Sequence, residues 1–174
     1  MRLLTAPVLQ QVQLRYDVLG DAGTGRRAGL RADVVWVHPT WGELPADDAW
    51  SAAERAGLQG VLRRWLLTQA CRDAAAFPGT VVVGVRLPVG LVAAGTFADD
   101  VADALAAGGL APERLVLSVS EQLLRHEPAS VLPALGAVQA TGVRVALPGP
   151  AAPDVLAGGL TADQAAALLA PQPA

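Results

Sequence analysis

A chain of 174 residues that is 52% hydrophobic is long enough to bury one substantial core, and one domain is the default. A formal charge of -3, with 13 Lys and Arg residues dispersed along the chain, leaves no basic field for nonspecific nucleic-acid binding. The single cysteine, Cys71, excludes an internal disulfide and a paired-cysteine metal site and fits a reducing, cytoplasmic setting, while no apolar run reaches the roughly 18 residues of a membrane span.

Residues Val12 to Leu19 alternate apolar and polar side chains and close on Gly20, Asp21, Gly23 and Gly25, which predicts a strand and a turn. The β-branched run Asp33 to Val37 predicts a buried strand ending at His38-Pro39. A loop with Pro39, Gly42 and Pro45 follows, and Asp47 or Asp48 is placed to cap a helix beginning near Ala49. Val61, Leu62, Trp65, Leu66 and Ala70 have the spacing of an amphipathic helix that stops at Pro78-Gly79.

Further along, Thr80 to Leu87 predicts a strand, Phe97 to Ala107 a helix, Leu115 to Val119 a strand, Ala129 to Thr141 a helix, and Val143 to Leu147 a fifth strand. In the tail, Thr161 and Gln164 form a capping-box pattern ahead of Ala165 to Leu169. Strands in alternation with helices predict βαβ units and a mainly parallel sheet.

The segment from His38-Pro39 through Gly42, Pro45, Ala53-Glu54, Gly57-Leu58, Trp65, Leu67 and Ala70-Cys71 resembles the first two helices of EAL domains, the cyclic di-GMP phosphodiesterase family. The stretches from Leu110 to Leu115 and from Gly142 to Leu147 continue the resemblance, which covers roughly residues 12 to 150 and leaves 151 to 174 as a divergent helical tail of one domain. It implies a TIM-like barrel with its site at the carboxyl ends of the strands, where carboxylates and an asparagine hold two divalent metals. The residues after Leu147 are too few for the remaining strands of a closed barrel, so the expected fold is an incomplete or modified barrel with a sheet of five or six strands. Asp154-Val155-Leu156 is a candidate remnant of the sixth.

Position by position, the site that the resemblance implies is depleted. The signature glutamate, seven residues before His-Pro, is Arg31, and the phosphate-contacting arginine four residues on is Val35. The metal-binding asparagine is Arg86, and of the Glu-x-x-Glu pair only Glu121 remains, after Ser118. Pro148 and Gly149 stand for the paired aspartates, and Asp17 for an early glutamine. No catalytic residue, metal ligand or cofactor is therefore expected. Successive strand residues alternate faces, so Asp17, Asp33, His38 and Glu121 need not converge into another metal site.

The expectation is a non-enzymatic regulatory or scaffolding module with a protein partner or a second copy of itself covering the unfinished sheet. Trp41, in its Gly- and Pro-containing loop, is the interface candidate, although a loop tryptophan equally often tucks against its own domain. The alternative is a cyclic di-GMP sensor without hydrolysis, with Arg31, Arg86 and Glu121 at the ligand.

Overall fold

The computed structural model describes residues 9–20, 23–79, 81–87, 92, 95–119, 128–146 and 154–170. Strands β1 (Val12–Gly20) and β2 (Arg27–His38) lead to the short β3 (Gly42–Leu44) and helices α1 (Ala46–Arg55) and α2 (Gln59–Ala76). Then come β4 (Val83–Arg86), α3 (Phe97–Gly108), β5 (Leu115–Ser118), α4 (Pro128–Ala140), β6 (Arg144–Ala146), β7 (Asp154–Leu160) and α5 (Ala162–Leu169).

The strands make one sheet in the order β6-β5-β4-β2-β1-β7, with β3 on the end of β2. From β2 through β4 and β5 to β6 the pairing is parallel, as helical crossovers require. The α/β class and the open sheet agree with the sequence reading, and three features were not legible. First, β1 and β2 are an antiparallel hairpin with no helix between them, and β2 begins at Arg27, well before Asp33. Second, Gly42–Leu44 pairs with β2, where the sequence suggested only loop. Third, the strand at Asp154 does not continue the sheet beyond β6; it runs antiparallel along the other side of β1.

Helix α1 also starts earlier than expected, after Pro45, so Asp47 and Asp48 lie in its first turn and neither caps it. There they still favour the helix through its dipole. The Thr161–Gln164 capping box forms as its pattern predicts, with each side chain accepting from the other's backbone N–H.

Alternation along each strand sorts the side chains onto two faces. Tyr16, Val18, Leu30, Ala32, Val34, Val83, Val85, Leu115 and Leu117 join one core with the inward faces of all five helices. The family-like motif of α2 lies here: Leu67, Ala70 and Cys71 are fully buried. Tyr16 packs edge-on against Phe77, and its hydroxyl donates to Asp73 Oδ2 at 2.6 Å, which fixes β1 to α2. Burial pushes the Cys71 thiol up to about 12. Since the thiolate is the reactive form, we expect Cys71 to resist a thiol reagent at pH 8 and to label only at the rate of opening, which stopped-flow or mass-spectrometric labelling measures.

Candidate functional site

The second face of the sheet carries the residues that the sequence singles out. The strand register arranges them in three rows. Leu19 lies opposite Gly29, whose neighbour just ahead of β4 is Val82. The middle row runs Asp17, Arg31, Gly84, Val116, Arg144 from β1 to β6. The row nearest the carboxyl ends of the parallel strands pairs Arg15 with Asp33, and Arg86 with Ser118 and Ala146. Leu19, Val35, Val82 and Val116 are half-buried and take no part in the hydrophobic core.

Arg31 sits between two carboxylates. Its Nη2 donates to Asp17 Oδ2 at 2.5 Å, and its Nε lies 3.3 Å from Asp33 Oδ2. Arg86 reaches toward the other oxygen of Asp33, at 4.0 Å. The two arginines predicted at the site are thus brought to one face and bridged by Asp33. That residue does converge with them, because it stands two positions after Arg31 on the same strand. Asp17 also anchors the edge of the sheet. Its Oδ1 accepts from the Gly159 backbone N–H at 2.9 Å, which holds β7 on the irregular edge of β1.

Burial raises the pKa of Asp33, an effect that the nearby Arg86 and Arg31 oppose without cancelling, with Asp17 adding to the rise. A carboxyl whose folded pKa is raised contributes stability that is complete below the ordinary carboxylate range and is lost as pH rises through the folded value. Asp33→Asn should therefore match the parent at pH 3 and become the more stable of the two toward pH 7. Urea melts at both pH values test this; a relative loss of stability on raising the pH would contradict it.

Glu121, Ser120, Pro148 and Gly149 lie outside the described residues. His38 is remote from the rows, at the far end of β2. Its Nδ1 accepts from the backbone N–H groups of Thr40 and Trp41 at 3.1 and 3.3 Å, and its ring stacks on Trp41 with centroids 4.1 Å apart. It organises the β2–β3 turn. Trp41 rests on that imidazole and not in the core, with 69% of its surface exposed.

Do these residues fit a pair of divalent metals? Such ions need several free oxygen ligands. Here the guanidinium of Arg31 fills the space between Asp17 and Asp33, and Asp17 also serves Gly159. The described residues do not fit a metal at this place.

An open α/β sheet with helices on one face and the polar rows on the other belongs to the barrel-related class. The profile for the EAL domain matches residues 2–149, and the chain belongs to that family. A relative in Caulobacter vibrioides, named an uncharacterized signaling protein, is 36% identical over 137 residues, which is 77% of this chain and 17% of the relative. The cyclic di-GMP phosphodiesterase NbdA of Pseudomonas aeruginosa is 30% identical over 141 residues, 79% of this chain and 18% of its own. The chain thus spans about a sixth of the length of these curated relatives.

Among solved structures, the PaMucR phosphodiesterase in complex with c-di-GMP superposes with a TM-score of 0.73 at 26% identity, over 80% of this chain and 58% of that one. The FimX EAL domain of Pseudomonas aeruginosa, bound to c-di-GMP, gives 0.70 at 18% identity over 80% and 57%, a likeness of fold. The chain is related to cyclic di-GMP signalling proteins, and among its described residues no helix is long and apolar enough to cross a membrane.

Proposed function

We propose that this chain is a catalytically silent EAL domain that acts in the cytoplasm as a regulatory or scaffolding module, through a protein partner or a second copy of itself. The observation that carries this reading is Arg31. It takes the position of the family's metal-binding glutamate and ties up the neighbouring carboxylates Asp17 and Asp33 in ion pairs. A cation fixed at that spot repels the metals on which two-metal hydrolysis depends. Arg86, in place of the metal-binding asparagine, adds to the same repulsion. The half-buried apolar residues of the second face, Leu19, Val35, Val82 and Val116, supply the surface for an interaction.

The test combines turnover of cyclic di-GMP with Mg2+ or Mn2+, calorimetric titration with the same nucleotide, and light scattering. The expected result is no hydrolysis, no heat, and a mass or a partner that shows association. Metal-dependent turnover would sink the proposal. A second reading, a cyclic di-GMP sensor, is favoured by Arg86, whose side chain is 61% exposed and only loosely paired. It calls for saturable binding that disappears in the Arg31→Ala, Arg86→Ala double variant.

A further inference from the structure

The middle row of the second face has a gap. Gly84 contributes no side chain between Arg31 and Val116, and a cavity of about 270 Å³ opens there, walled by Val82, Val116 and Ala146 and rimmed by Arg31 and Arg144. The glycine is not required by its backbone. A methyl group placed on it would meet only Leu30 O at 3.5 Å and Val116 O at 4.0 Å, ordinary contacts. The gap is therefore room for a side chain that none of the described residues supplies.

The charged side chains described on this face leave one arginine without a carboxylate. Asp17 and Asp33 are engaged by Arg31, with Arg86 leaning on the second, and Arg15 pairs with Glu43 at 2.7 Å. Arg144 donates to the backbone carbonyl of Glu113, and no carboxylate among the described residues pairs with it. Among the described residues of this face four arginines, Arg15, Arg31, Arg86 and Arg144, stand against three carboxylates, Asp17, Asp33 and Glu43, although the whole chain is net negative at -3. The field belongs to the face and not to the molecule.

No aromatic ring is present among the described residues of the three rows; Tyr16 and Trp36 point to the opposite side, with the core. A nucleobase would find no stacking platform there, and stacking is a main source of affinity for bases held outside a duplex. An aliphatic anchor with carboxylates beside it matches both the gap and the field.

Resting on the silent-domain reading, we propose that this face docks an acidic amphipathic segment of a partner protein. One apolar side chain seats over Gly84, and flanking carboxylates meet Arg144 and Arg86. Such a segment would cover Leu19, Val82 and Val116, which the domain leaves half-exposed.

The probe is a fluorescein-labelled helical peptide of Leu, Ala and Glu, compared with its counterpart in which Lys replaces every Glu, by anisotropy against the full chain. The Glu peptide should bind saturably and weaken as salt is raised across the range where the Debye length shortens, and the Lys peptide should not bind. Gly84→Leu fills the gap and should weaken binding about tenfold or more, a loss of about 1.4 kcal/mol, while Gly84→Ala retains it. Arg144→Glu should abolish it. Unchanged thermal melts confirm that these variants fold.

Equal binding of both peptides, no binding of either, or unimpaired binding by Gly84→Leu overturns the docking proposal. So does displacement of the peptide by cyclic di-GMP, which would assign the face to the nucleotide. Hydrolysis of cyclic di-GMP by the same preparation overturns instead the silent-domain reading, so the two failures are told apart.

Discussion

Asp100→Ala should cost about 3–5 kcal/mol of stability, seen as a fall in the urea midpoint at constant slope. Asp100 on α3 receives the guanidinium of Arg63 from α2, and both side chains are buried, at 8% and 2% exposure. Arg63 also donates to Thr96 Oγ1 at 3.1 Å and lies 5.7 Å from the centre of the Phe97 ring. Removing the carboxylate takes the anion away from a guanidinium that stays in the core. Desolvation dominates that outcome, because two ions withdrawn from water are tolerated only as a pair.

The same logic makes a second result diagnostic. Arg63→Leu combined with Asp100→Leu should restore most of the loss, since apolar residues of similar volume often replace a buried pair at little cost. If Asp100→Ala alone costs less than about 1 kcal/mol, the pair behaves as exposed ion pairs do, and the burial argument fails.

This pair shows where sequence reading stopped. The apolar spacing of α2 was legible, but an arginine at Arg63 reads as solvated until the helix opposite is known to bring Asp100 to it. By contrast, the motif around Trp65, Leu67, Ala70 and Cys71 was legible because it is packing. Its residues are buried or half-buried where α2 packs against α3 and the sheet.

The site was legible in part. Arg31 and Arg86 follow from counting along motifs, and strand alternation puts Arg31 and Asp33 on one face. Their linkage through Asp33 depends on which strand lies beside β2. Nor does local pattern place the strand at Asp154, since its pairing with β1 spans almost the whole chain and is decided by the free edge of β1 and by Asp17.

Gly108→Ala should destabilise the protein by about 1–3 kcal/mol or more, although alanine is the better helix former. Gly108 is the last residue of α3, and the following Gly109, at φ 66°, ends the helix in the left-handed conformation. The methyl group added at Gly108 would stand 2.5 Å from Cys71 Cβ and 2.9 Å from the Arg72 backbone nitrogen. These are main-chain and β-carbon atoms, so no side-chain rotation gives relief. The helices must separate, and Cys71→Ala would not rescue the variant because the Cβ remains.

Gly136→Ala on α4 is the control. Nothing lies within 4 Å of its added carbon, so it should leave stability unchanged or raise it by up to about 1 kcal/mol. Urea melts of the two variants separate close approach from helix propensity. Thiol labelling reads the same event independently: if α2 and α3 are forced apart at this contact, Cys71 in the Gly108→Ala variant must label faster than in the parent under native conditions. A stable Gly108→Ala protein with Cys71 still protected would mean that the helices do not meet there.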